Sequence, residues 1–193
     1  MSKVILDMTM SLDGLTAGPN ISIETPLGHN WEQLHTWLFG DKTPLDADVI
    51  DEQFKTTGAF VMGRRKFDVG EAPWGDDGAF GMPCFVLTHH ARETLIKGPT
   101  TFTFVTDGME SALEQARAAA GEKNICVMGA ANIAQQYLKT GLIDEIYVHI
   151  VPLLFGAGTR LFDQIGTEST ELEMIQTLSS PKVTHLHYRV IKS

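Results

Sequence analysis

Apolar positions along the chain fall into short runs separated by amphipathic stretches. Val4 to Met10 is apolar and β-capable without strict alternation, a pattern that predicts a strand buried on both faces. Ala59 to Met62, Cys84 to Thr88 and Thr101 to Val105 read as further short strands. Thr43-Pro44 supplies an N-cap with proline at the first helical position, and Val49, Ile50 and Phe54 give the helix ending before Gly58 its apolar stripe. The carboxylates Asp46, Asp48, Asp51 and Glu52 read mostly as solvated residues that complement its dipole. Trp31, Leu34, His35 and Leu38 share one helical face, and Met109 to Ala120 predicts another helix. Strand-helix alternation of this kind defines an α/β protein. Glu145 to Val151, Glu171 to Leu178 and Val183 to Ile191 then follow one another with turn residues between them, which predicts an antiparallel C-terminal portion. The segment from Ser11 to Asn30 reads as a long loop, and Val69 to Met82 as a glycine-rich one carrying Trp74 and Phe80.

At 193 residues and 43% hydrophobic content, the chain suits one domain, 1–193. No stretch approaches the roughly 18 apolar residues of a membrane span, and the N-terminal run carries Lys3 and Asp7, so neither anchor nor signal peptide is expected; the expected location is cytoplasmic. Cys84 and Cys126 sit in strand-like runs, where buried reduced thiols are expected. A formal net charge of −9 disfavours nucleic acid and anionic membranes as partners.

Against that acidic background, Gly63-Arg64-Arg65-Lys66 places three cations at what reads as a helix start. Cations there add to the positive end of the dipole, so the turn is either a solvated basic patch or a polyanion site. Ile125 to Met128 stops at Gly129-Ala130-Ala131, and an amphipathic run to Lys139 follows: strand, tight turn, helix. Small residues in such a turn serve close packing or let an anion reach the first free amides of the helix. Neither G-x-G-x-x-G nor G-x-x-x-x-G-K-[ST] is present. His185 and His187 share a strand face with Arg189; a zinc pair or a polar sheet face fits, and no third ligand of suitable spacing accompanies them. The expected metal content is none.

Four stretches carry a resemblance: Met10-Ser11-Leu12-Asp13-Gly14, Gly63-Arg64-Arg65-Lys66-Phe67, Phe85-Val86-Leu87-Thr88, and the block from Gly141-Leu142-Ile143-Asp144-Glu145 to Gly156-Ala157-Gly158-Thr159-Arg160-Leu161-Phe162. In this order they resemble the dihydrofolate reductase-like superfamily, in the branch similar to the C-terminal reductase domain of the riboflavin-biosynthesis protein RibD. The resemblance implies a three-layer α/β fold: a mixed, mostly parallel sheet with antiparallel C-terminal strands and helices on both faces. It implies an NADPH-dependent reductase acting on a pterin- or ribosylaminopyrimidine-like small molecule, and a homodimer formed through the C-terminal strands. The alternative is an NADP(H)-binding protein without efficient catalysis, acting as a binding or interaction module.

By that resemblance Gly63, Arg64, Arg65 and Lys66 bind cofactor phosphates, with Lys66 standing where threonine is usual. Thr88 and His89 approach the adenosine 2′-phosphate. Gly129, Ala130, Ala131, Asn132 and Ile133 lie at the pyrophosphate, where the superfamily usually has Gly-Gly, often joined by a cis peptide. Asp13 is the carboxylate available to deliver a proton, although an Asp-Gly turn is as easily structural.

Overall fold

The computed structural model describes residues 2–28, 31–40 and 42–192, so the end of the first long loop, at His29 and Asn30, lies outside the described residues. In chain order the elements are β1 (Val4–Ser11), β2 (Leu15–Ala17), α1 (Thr36–Phe39), α2 (Pro44–Thr56), β3 (Thr57–Gly63), α3 (Arg64–Gly70), β4 (Pro83–Leu87), β5 (Leu95–Lys97), β6 (Thr100–Val105), α4 (Met109–Ala120), β7 (Asn124–Val127), α5 (Ala131–Lys139), β8 (Glu145–Val151), β9 (Thr159–Arg160), β10 (Leu172–Ser179) and β11 (Thr184–Val190). Nine strands form one sheet in the order β10-β11-β8-β1-β7-β3-β4-β6-β5. The central pairs β8-β1, β1-β7, β7-β3, β3-β4 and β4-β6 are parallel. The pairs β10-β11, β11-β8 and β5-β6 are antiparallel.

Alternation along the strands divides the core between two faces. Val4, Leu6, Ala59, Val61, Ile125 and Val127 pack with Ala112, Leu113 and Ala116 of α4 and with Ala134 and Tyr137 of α5. On the other face Phe60, Met62, Cys84, Val86 and Cys126 pack with Phe67 of α3 and Phe54 of α2. Both cysteines are buried free thiols, as their apolar runs suggest. Full burial of an aromatic such as Phe67 or Phe102 contributes about 1.5 to 3 kcal/mol each. The helices therefore cover both faces of a mixed, mostly parallel sheet, as the resemblance implies.

Three local readings change. Residues 32–39 form a 3-10 turn, Glu32–His35, and then a single α-turn, so the buried set is Trp31, Leu34 and Trp37 instead of the expected helical stripe. Asp46 is not solvated: it is fully buried, closing a capping box with Thr43 and facing His185. The loop after Ser11 contains β2, which pairs with β9 from the Gly-Ala-Gly-Thr-Arg stretch. That pairing explains why the two stretches are matched: Leu161 N donates to Gly14 O, Arg160 donates to Asp13 O, and Gly158 lies so close to Ala17 and Trp31 that a side chain would collide with both.

Candidate functional site

Strands β1, β7, β3 and β4 are neighbours and parallel, so the turns that follow them gather at one edge of the sheet. The crevice outside the carboxyl ends of parallel strands is where open α/β sheets bind ligands. Gly63 and Gly129 meet there, Gly63 N donating to Gly129 O at 3.2 Å. A Cβ on Gly63 would lie 2.8 Å from Ile133 Cγ1, and one on Gly129 would lie 2.7 Å from Lys66 Cδ, so a side chain at either position would force its neighbour to shift. Gly129 has φ +38°, and the Gly129–Ala130 peptide is cis. Neither α3, which starts after Gly63, nor α5, which starts after Ala130, has a side-chain cap. Ile133 N bonds back to Ala130 O, while Ala131 and Asn132 stand in the turn ahead of it, where helix amides lack intrahelical partners. Two uncapped helix starts thus lie side by side.

The three cations diverge. Arg64 pairs with Asp68 at 2.6 Å and lies over the Phe104 ring. Arg65 is exposed and donates to Ile21 O, tethering the loop after β2. Lys66 instead turns inward beneath the Gly129 turn; burial pushes its ammonium pKa down, against the opposite pull of Cys126 and Asp7. At the end of β4, Thr88 is buried, its N donating to Val105 O and its hydroxyl to His90 O, while His89 is exposed beside it. Asn132 is exposed and accepts from Gln136.

Asp13 sits at the end of β1, where its carboxylate accepts from Ser11 Oγ, Phe155 N and Gly156 N. The Ser11 bond, followed by the Gly156 and Phe155 amides, holds its pKa below the ordinary carboxylate range. The group is an acceptor that joins the two matched loops.

A groove of about 390 Å³ opens between α2 and the sheet. Its wall brings together polar residues far apart in the sequence: Asp7 of β1, Gln53 of α2, Glu145 and Tyr147 of β8, and the His185–His187 pair of β11. Gln53 Nε2 donates to Asp7 and to Cys126 Sγ. Tyr147 and His187 stack at 3.8 Å, and His187 faces Glu145 at 2.9 Å, with Lys3 on the other carboxylate oxygen. Burial raises the pKa of Glu145, but its bonds with Lys3 and His187 outweigh this and leave it below the usual range. Burial pushes the Tyr147 phenol up to about 12. The signal for this face was present as polar residues at alternate positions, Asp7 and Thr9, Tyr147 and His149, His185 and His187, but only strand pairing puts them together. Lys66 lies with its stem against Gly129, and the Asp7 carboxylate favours its charged form against the larger effect of burial.

A mostly parallel sheet with β1 near its centre, antiparallel strands at its C-terminal edge and helices on both faces is the dihydrofolate reductase-like fold. A model of the RibD C-terminal domain matches residues 2–186. The chain belongs to the RibD C-terminal domain family. It is 23% identical over 197 residues to the uncharacterized protein YwjB of Bacillus subtilis (strain 168), covering 96% of this chain and 97% of that protein. Among solved structures, a protein from Shewanella sp. PV-4 assigned to riboflavin biosynthesis is similar over 100% of both chains, at TM-score 0.74 and 22% identity. A diaminohydroxyphosphoribosylaminopyrimidine deaminase/5-amino-6-(5-phosphoribosylamino)uracil reductase from Thermotoga maritima is similar at TM-score 0.65 and 12% identity, over 98% of this chain and 57% of that longer one. At these identities the structural likeness defines the fold.

Proposed function

We propose that this protein is an NADPH-dependent reductase that transfers hydride to a pterin- or ribosylaminopyrimidine-like small molecule. The observation that carries the proposal is the pair of uncapped helix starts after Gly63 and Ala130, tied together by the Gly63–Gly129 hydrogen bond. Each start presents partial positive charge and free amides, the environment that phosphate groups seek. Arg64, Arg65, Thr88 and His89 lie at the ends of the adjacent strands β3 and β4, suited to a further phosphate. Membership of the RibD C-terminal domain family and the reductase name of the Thermotoga maritima protein support the same reading.

When bound, the nicotinamide cofactor supplies the hydride. The chain's own residues have four tasks. Gly63 and Gly129 let the backbone approach the ligand closely, and the amides at Ala131 and Asn132 hold its charge. The groove under α2 receives the acceptor against the flat Tyr147–His187 wall. The stacked Trp31–Phe155 pair, 3.8 Å apart, holds together the loops that Asp13 joins.

A charge-assisted contact to phosphate is worth about 1.5 to 3 kcal/mol, so Arg64→Ala is expected to weaken NADPH binding by roughly ten- to hundred-fold in a fluorescence titration. Unchanged affinity in that variant, or equal affinity of the wild type for NADPH and NADH, contradicts the proposal. NADPH oxidation is then followed with dihydrofolate and with the deaminated ribosylaminopyrimidine. Tight NADPH binding without turnover on a wider panel identifies a dinucleotide-binding protein instead.

A further inference from the structure

Along the groove and behind it lie four groups that the proposed binding of cofactor and acceptor does not use: Asp46, His149 and His185 are buried, and Asp7 is partly exposed on the groove wall. Strand pairing sets His185 of β11 opposite His149 of β8, and their Nδ1 atoms are 2.7 Å apart. His185 Nε2 is 3.0 Å from Asp46 Oδ1, and His149 Nε2 is 3.3 Å from Asp7 Oδ1. The two imidazoles are 1% and 3% exposed for His149 and His185, and Trp37 packs against both rings. The result is a chain: carboxyl, imidazole, imidazole, carboxyl.

An ionised carboxylate only accepts, so a hydrogen bond to each end requires N–H at Nε2 of both histidines. A neutral imidazole carries a single N–H, which leaves two bare Nδ1 lone pairs facing each other at 2.7 Å. Three hydrogen bonds among four groups need three protons. One arrangement has N–H on both Nε2 atoms and a third proton between the Nδ1 atoms, so that one positive charge is shared by the pair. The other has Asp7 protonated and donating to His149, His149 donating to His185, and His185 donating to Asp46. Both hold one proton more than two carboxylates and two neutral imidazoles, and they interconvert by shifting protons along the bonds.

The surroundings fit this single extra proton. Burial works to raise the pKa of Asp46, but bonds with His185, Thr43 and Ser180 outweigh it and keep the group ionised. Burial, helped by the neighbouring His149, holds His185 below the ordinary imidazole range against the bond to Asp46, so the extra proton is not carried on that ring alone. Among the described residues, the other titratable groups turned toward the chain are His35 from the 3-10 turn, Lys66 from α3, Cys126 from β7 and Tyr147 from β8. The Asp46 end is sealed by its capping box, whereas Asp7 lines the groove.

We propose that Asp46, His185, His149 and Asp7 share one stored proton through three hydrogen bonds, and that Asp7 releases it to a molecule bound in the groove. Its use rests on the reductase reading. The reduced nicotinamide cofactor would supply the hydride to the carbon of an acceptor C=N or C=O. The Asp7 O–H breaks as the acceptor's new N–H or O–H forms. The chain is left with two protons and one more negative charge, and it refills from solvent at Asp7.

The stored proton is tested by ¹H and ¹⁵N NMR on the full chain near neutral pH, without cofactor. We expect a strongly downfield hydrogen-bonded proton that disappears in His149→Gln and in His185→Gln and survives in His187→Gln. A His149 ring with Nε2 unprotonated beside an ionised Asp7 carboxylate would leave the chain only two protons and overturns the proposal. The donor role is tested with Asp7→Asn, which keeps the side-chain shape. The rate of NADPH oxidation at saturating cofactor should fall by about 10²- to 10⁴-fold while the NADPH dissociation constant stays within about twofold. An unchanged rate overturns the donor role. A wild type that does not bind NADPH removes the reductase reading and the donor role together, and the NMR result still decides the stored proton by itself.

Discussion

His35 is held neutral: burial, then the charges of Lys66 and His149, push its pKa down to about 3. Its Nδ1 is buried without a hydrogen-bond partner among the described residues. An unfolded imidazole takes up its proton near pH ~6.5. Between that value and about 3 the unfolded chain binds more protons than the folded one, so this residue costs stability as the pH falls through the window. His35→Leu removes both the unpaired atom and the titration. We expect it to raise the urea midpoint by an amount worth about 1 to 3 kcal/mol, with a larger gain at pH 5 than at pH 8. A gain no larger at pH 5 contradicts the assignment. Residue roles of this kind were the least legible part of the sequence. Asp46 looks like one of several solvated helix carboxylates until His185, 139 positions away, arrives beside it. Lys66 looks like a third surface cation of a basic turn, and only the packing of Gly129 shows that its stem runs inward.

At the scale of elements the local signals were strong where capping chemistry or glycine geometry decided them. Thr43-Pro44 marks the start of α2, and the capping box forms with Asp46 N donating to Thr43 Oγ1. Thr43→Ala should cost about 0.5 to 2 kcal/mol and lower the melting temperature by roughly 2 to 4 °C per kcal/mol, while Thr43→Ser should recover most of the loss. Calorimetry at neutral pH checks both, and a neutral alanine variant would mean that the cap contributes nothing. The turn after β7 was equally legible, because small residues between an apolar run and an amphipathic one have few other uses. Residues 31–39 were not. Trp31, Leu34 and Trp37 are buried by contact with Leu15, Val151 and Val183, so tertiary packing, not helical periodicity, sets which side chains turn inward.

For the molecule as a whole, the exposed edge of the sheet carries the next expectation. β10 ends the sheet on the antiparallel side, and Leu172, Met174 and Ile175 on it are at least 40% exposed. An uncovered apolar edge strand is an aggregation hazard that proteins normally cover. We propose that a second copy of the chain covers it, giving a homodimer. Light scattering should show a dimer at micromolar concentration that Met174→Arg converts to monomer, and a monomeric wild type excludes this arrangement. The order of the sheet itself was only partly legible. The run of C-terminal strands predicted antiparallel pairing and the family resemblance implied a mostly parallel remainder, and both occur. That β1 lies between β7 and β8 could not be read from patterns that extend a dozen residues at most.

The position of β1 also governs how the chain can mature on a ribosome. Its two neighbours are β7 and β8, and Met8 meets the Gly129 amide 121 positions later. Within this domain the strand that precedes the others in sequence is therefore the one that waits longest: neither of its edges is paired until residues 124–127 have emerged, and the second stays open until residues 145–151 follow. Contacts this distant in sequence close late and slow folding. Throughout that interval an apolar strand with two free edges stands outside any finished structure, which is the condition in which nascent chains are captured by chaperones or by one another.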